Sequence, residues 1–189
     1  MPKHYFIGIK LPKQVAETLH NARGSWNLKS HKKYMPPADM HITLLFIGGD
    51  PHGDIEKINE ALADISHAPF DLKTSGIRTF GNPPTPRIVY AAVEENVMLD
   101  QLHSKIKQAV LPFKIKLDDR PFTPHITLAA KWAGGVPMDA SADLVLGEVD
   151  FHVSEFILFE IQPTSSPKYV PLAAYPLDDS GESRDSGHL

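Results

Sequence analysis

His41-Ile42-Thr43-Leu44-Leu45-Phe46-Ile47-Gly48 and His125-Ile126-Thr127-Leu128-Ala129-Ala130-Lys131-Trp132 open with the same four residues. In a β-strand successive side chains point to opposite faces. His41 and Thr43 therefore share one face, and Ile42 and Leu44 the other; His125 and Thr127 separate from Ile126 and Leu128 in the same way. Each tetrad reads as a strand with one face built for the core and one left for chemistry. Two such strands are expected to face one another across a cleft.

Working outward, Tyr5-Phe6-Ile7-Gly8-Ile9 reads as a strand, and Pro12 stands at the first turn of a helix that turns Val15, Ala16, Leu19 and Ala22 inward. Residues 29–39 are basic and turn-like. After Gly48-Gly49 the residues Ile55, Ile58, Ala61, Leu62 and Ile65 recur at helical spacing, with charged residues between them. Phe70–Phe80 and Arg87–Val93 predict a hairpin around the proline-rich segment 81–86. Asn96 is an N-cap candidate for a helix that buries Leu99, Leu102, Ile106, Ala109 and Val110. Beyond the second tetrad, 131–148 is weakly patterned. One strand then carries Phe151, Val153, Ile157, Phe159 and Ile161 on one parity, and Tyr169–Leu177 is the last apolar run. Short strands joined by hairpins, with two or three helices, define an α+β protein with antiparallel sheets. Residues 1–177 are expected to form one domain or two small lobes that share an interface, and 178–189, nearly without apolar residues, a disordered tail.

The chain has 189 residues, 42% of them hydrophobic, enough for a core of its own. A net charge of −4 excludes a global basic field, so any anion site must be local. With no cysteine there are no disulfides, no thiolate nucleophile and none of the commonest zinc ligands. No apolar leader follows Met1, and no stretch has the roughly 20 apolar residues of a membrane span. A soluble, cytoplasmic protein is expected, with a monomer as the default.

Imidazole titrates near neutrality, so one histidine of a pair can act neutral as a base while the other acts protonated as an acid. The threonine hydroxyls, two residues along each strand, suit the non-bridging oxygens of a phosphoryl group. A lone histidine among 10 is more often structural, but no packing rule requires an identical His-Ile-Thr-Leu at two places. A metal site is the rival reading. Against it, there is no His-x-x-x-His spacing and no cysteine, and Asp39 and Asp50 have no evident partnership with the tetrads. No metal or other cofactor is expected.

Paired His-x-Thr-aliphatic strands resemble the 2H phosphoesterases. The likeness to their RNA 2',3'-cyclic phosphodiesterase branch, historically called 2'-5' RNA ligases, runs from residue 3 to 177. It includes Phe6-Ile7-Gly8-Ile9-Lys10-Leu11-Pro12, Phe80-Gly81, Pro86-Arg87-Ile88-Val89-Tyr90, Arg120-Pro121-Phe122-Thr123-Pro124 before the second tetrad, and Tyr169-Val170-Pro171-Leu172. The resemblance implies two related antiparallel sheets that form a central cleft, with helices outside and one tetrad from each lobe. It implies hydrolysis of an RNA 2',3'-cyclic phosphate to a 2'-phosphate, with His125 as general base and His41 as general acid. Reversal of the same chemistry would be a 2'-5' ligation. Family members carry a basic residue two positions after the second tetrad. Here that position is Ala130, and Lys131 follows it, on the wrong parity unless the strand bulges.

Lys131 and Arg87 are the candidate substrate contacts. Lys29, His31, Lys32 and Lys33 form a loop patch suited to an RNA backbone. Of the aromatic candidates for base stacking, Tyr34 and Phe46, parity assigns Phe46 to the core beside Ile42 and Leu44. The competing readings are a 2H enzyme for a small cyclic nucleotide, such as a nucleoside cyclic phosphate, or for an oligoadenylate, and a non-catalytic RNA-binding relative. Intact tetrads speak against the last.

Overall fold

The computed structural model describes residues 2–26, 28–135, 137–138 and 144–178. The expected tail lies outside the described residues apart from Asp178. Strands β1 (His4–Lys10), β2 (His31–Tyr34), β3 (His41–Gly48), β4 (Phe70–Asn82), β5 (Thr85–Val93), β6 (His125–Trp132), β7 (Asp150–Val153), β8 (Glu155–Ile161) and β9 (Tyr169–Pro176) alternate with helices α1 (Lys13–Ser25), α2 (Ile55–Ala63) and α3 (Val97–Val110). All pairings are antiparallel, in the order β7-β4-β5-β6-β3-β1-β8-β9, with β2 also on β6. The two expected sheets are present as two halves, β7-β4-β5-β6 and β3-β1-β8-β9. They join through a single residue pair, Ile42 with Ile126.

Each element follows from its residues. The α3 cap is the predicted one, with Leu99 N–H donating to Asn96 Oδ1 at 3.0 Å. At α2 the Asp50 carboxylate accepts from the Asp54 and Ile55 N–H groups, satisfying two of the donors a helix start leaves open. Ile42, Leu44, Ile126 and Leu128 are buried in one core with Leu19 of α1, Leu62 of α2, and Leu99, Leu102 and Ile106 of α3. The helices thus cover the apolar face of the tetrads, and the histidine face is left uncovered by them. No helix among the described residues is long and apolar enough to cross a membrane.

Four readings are corrected. Residues 31–34 are a strand, because their partner on β6 completes a ladder that local propensity does not reveal. The fourth inward position of α1 is Arg23, not Ala22. Its guanidinium, in a residue only 8% exposed, donates to the carbonyls of Met35 and Leu128 at 2.7 and 2.8 Å. Charge-assisted hydrogen bonds of this kind are worth about 1.5–3 kcal/mol, and these pin α1 to the second tetrad's strand. The apolar run at 150–161 is two strands: β7 pairs β4 in one half and β8 pairs β1 in the other. Its residues are apolar on both parities, so alternation did not reveal the break at Ser154.

The fourth correction is Phe46, which is 56% exposed. In β3 the register against β1 slips between Ile7–Leu45 and Gly8–Thr43, leaving Leu44 as an extra residue. A bulge of one residue reverses parity beyond it. Leu44 and Leu45 are both buried, and Phe46, opposite Phe6, moves to the face of His41 and Thr43.

Candidate active site

The Ile42–Ile126 pair sets the geometry of the site. Continued one step each way, the antiparallel register sets His41 opposite Thr127 and Thr43 opposite His125, all on the face away from the core. Each histidine therefore faces the other tetrad's threonine, with the second histidine on the diagonal.

The two imidazoles are held alike. His41 Nδ1 lies 2.7 Å from the carbonyl of Asp39, and His125 Nδ1 lies 2.7 Å from the carbonyl of Thr123. A carbonyl can only accept, so each Nδ1 carries its proton and each Nε2 is left as the reactive nitrogen. His41 Nε2 sits 3.1 Å from Thr43 Oγ1, within reach of a hydrogen bond from that hydroxyl.

Aromatic rings wall both histidines. The His41 ring is 4.8 Å from Phe6 and from Tyr169 and 6.3 Å from Phe159; the His125 ring is 5.0 Å from Phe80 and 5.3 Å from Tyr90. Burial among these neighbours lowers the His41 pKa. The Asp39 carbonyl opposes that shift, and His125 and Lys33 reinforce it. His41 is thus biased to its neutral form.

Asp39 escaped the sequence reading as a site residue. It is 7% exposed, and its Oδ1 accepts the backbone N–H groups of Lys168 and Tyr169 at 2.9 and 3.2 Å, while its carbonyl orients His41. One buried carboxylate therefore ties the loop before β9 to the first tetrad. A signal was available: an acid two residues before the histidine, in the 3-10 turn Pro37–Asp39 that delivers the chain to β3.

The basic candidates are distributed as follows. β6 has a bulge, with a register slip between Val89–Ala129 and Tyr90–Thr127, but it falls before Ala130 and so does not bring Lys131 to the cleft face. It falls at Leu128, one step after Thr127, as the β3 bulge falls one step after Thr43. Cross-strand partners share a face, so Ala130, opposite Ile88 and in turn Phe80, points with His125 into the cleft. Lys131 is exposed, with φ of 62°, one residue beyond. Arg87 is exposed and is the extra residue of a β5 bulge, where the register against β4 slips between Phe80–Ile88 and Gly81–Pro86. Arg78, opposite Tyr90 and on the parity of Phe80, is an exposed cation on the cleft face that sequence reading missed. Tyr34, at the end of β2, is occupied, its hydroxyl donating to the Leu28 carbonyl. Among the described residues no group of three or more acidic or histidine side chains is placed to hold a metal ion.

An open antiparallel sheet in two halves, with a His-x-Thr strand from each at their junction, is the 2H phosphoesterase fold. The chain belongs to the 2'-5' RNA ligase superfamily, whose family model matches residues 11–163. It is 35% identical to the RNA 2',3'-cyclic phosphodiesterase of Bacillus subtilis strain 168, over 92% of this chain and 96% of that protein. It is 34% identical to the protein of the same description from Geobacillus stearothermophilus, over 96% of this chain and 59% of the longer relative. Among solved structures, E. coli LigT complexed with 3'-AMP superposes with a TM-score of 0.76 at 21% identity, covering 94% of this chain and 99% of that one. TT0787 of Thermus thermophilus gives a TM-score of 0.73 at 28% identity, covering 92% and 97%.

Proposed function

We propose that the protein is an RNA 2',3'-cyclic phosphodiesterase that opens the cyclic phosphate to a 2'-phosphate by acid–base catalysis between His41 and His125, without a metal. The observation that carries the reading is the register at Ile42–Ile126. It sets two histidines, each with Nδ1 tied to a carbonyl and Nε2 available, and two threonine hydroxyls on one face of a sheet junction. The names of the Bacillus and Geobacillus relatives support the substrate class.

In the proposed reaction, His125 Nε2 takes a proton from water as its oxygen attacks phosphorus. The bond from phosphorus to the 3' oxygen breaks, and that oxygen takes its proton from His41 Nε2. Thr43 and Thr127 donate to the non-bridging oxygens, where charge grows. Burial biases His41 toward its neutral form, and a bound phosphate, whose negative charge raises the imidazole pKa, favours the proton that His41 gives up. Lys131 is retained as an outer substrate contact. Arg87, exposed at the β5 bulge, stays a candidate contact. Phe46, exposed on the cleft face, offers a ring for base stacking.

Turnover of a nucleoside 2',3'-cyclic phosphate and of a short RNA with the same end, in excess chelator, tests the proposal. Activity is expected on at least the RNA and is retained in chelator. Complete loss to the chelator would return the metal reading, and turnover of oligoadenylate alone would move the enzyme to another substrate class.

A further inference from the structure

The family position for a basic residue after the second tetrad is Ala130, which brings no charge to the cleft. Its cross-strand partner does. Lys33 on β2 pairs with Ala130 and so stands on the same face as Ile88, Phe80 and the His125–Tyr90 wall. A second lysine approaches from another part of the chain. The backbone of Lys168 is held by Asp39 Oδ1, its Nζ is 5.8 Å from the centre of the Tyr169 ring, and that ring is 4.8 Å from His41. Burial, then the neighbouring Lys168 and Lys131 ammonium groups, pull the Lys33 pKa down, with Asp39 opposing.

Among the described residues no carboxylate forms an ion pair with Lys33, Lys131 or Lys168. Asp39, the acid nearest to them, is engaged with two backbone N–H groups. Cations gathered at one corner without a carboxylate partner, two of them half-buried, favour a bound anion there even in a chain of net charge −4.

The size of that anion follows from its charge. A 2',3'-cyclic phosphate is a diester with one negative charge, and the two histidines and two threonines already address its oxygens. The lysines exceed what one such charge requires. We infer that Lys33 and Lys168 form a second phosphate subsite beside His41, which takes the phosphodiester on the 5' side of the terminal nucleoside, so that the substrate is an RNA end and not a free nucleoside cyclic phosphate. The inference rests on the proposed function for its substrate, and its test separates the two.

The experiment compares kcat/KM for a nucleoside 2',3'-cyclic phosphate, the same nucleotide with a 5'-phosphate, and a dinucleotide ending in the same cyclic phosphate. The wild-type protein is expected to prefer the two substrates with the extra phosphate by about tenfold, the ratio expected of one charge-assisted contact worth about 1.4 kcal/mol. Lys33→Met and Lys168→Met each shrink that preference, through KM more than kcat, and Lys33→Arg preserves it.

Equal losses on all three substrates, or a gain confined to the dinucleotide, would overturn the subsite. In parallel, Kd for a nucleoside 3'-phosphate and for a dinucleotide with a 3'-phosphate is measured over a range of salt. The dinucleotide is expected to bind tighter, with a steeper salt slope by about 0.7, as for one more neutralised phosphate of a single strand, and Lys33→Met removes both differences. Equal affinities in the wild-type protein overturn the subsite even if no substrate is turned over, the outcome that refutes the proposed function instead.

Discussion

Replacing His41 or His125 with alanine lowers kcat/KM for an RNA 2',3'-cyclic phosphate by about 10²–10⁴-fold in each case, the usual worth of a positioned acid or base. The double variant is little worse than the poorer single one, because the two groups act in one step. The leaving group tells them apart. A p-nitrophenyl phosphodiester expels an oxygen that needs no proton, so the variant that lacks the acid regains most of its loss and the variant that lacks the base does not. Recovery is expected for His41→Ala. Recovery for His125→Ala instead would exchange the roles, and near-normal activity of both variants on the RNA would remove the histidines from the mechanism.

The second large effect is expected at Gly8, which has no side chain for the chemistry but pairs with Thr43 across the β1–β3 ladder. A Cβ built on Gly8 would lie 2.7 Å from the carbonyl oxygen of Ile42. That atom belongs to backbone and cannot swing aside, and Ile42 is the residue through which β3 meets β6. Gly8→Ala must push the first tetrad relative to the second. It is expected to destabilise the fold by about 1–3 kcal/mol, as overpacking does, and to cost tenfold or more in kcat, since misplacement by about 1 Å can cost 10²-fold. Gly24→Ala is the control. No atom lies within 4 Å of its built Cβ, and it sits in α1, so alanine there stabilises by about 0.5–1 kcal/mol. Urea midpoints and kcat of the two variants decide. A Gly8→Ala protein with wild-type stability and activity would show that the strands can part without moving the site.

The features legible in the sequence are those that depend on local rules. Strand parity separated His41 and Thr43 from Ile42 and Leu44, helical spacing located α2 and α3, and Asn96 marked its own cap. Long-range pairing stayed hidden. His31-Lys32-Lys33-Tyr34 has little strand propensity and becomes β2 only because β6 has an open edge beside Ala129–Trp132. The bulges at Leu44 and Leu128 leave no mark in a run of apolar residues, yet they decide that Phe46 and Ala130 face the cleft. The convergence of Lys33 and Lys168 on the first tetrad needs β2 and the Asp39 tether together, which bring residues more than a hundred positions apart in the chain to one corner.

The repetition of the tetrad carries over into a repetition of the supporting geometry. Each histidine is oriented by the carbonyl two residues before it, each tetrad ends in a bulge, and each imidazole is walled by aromatic rings. The two sites differ in their cations and in burial. His41 has Lys33 and Lys168 nearby and a lowered pKa, an asymmetry that suits two histidines with different tasks in one reaction.

The central claim is that water opens the cyclic phosphate with the 3' oxygen leaving. Phosphorus NMR of a short RNA bearing a 2',3'-cyclic phosphate, followed during incubation with the protein and excess chelator, tests it most directly. The cyclic signal is expected to be replaced by that of a 2'-phosphate alone; a 3'-phosphate product, or a cyclic signal that persists unchanged, would contradict it.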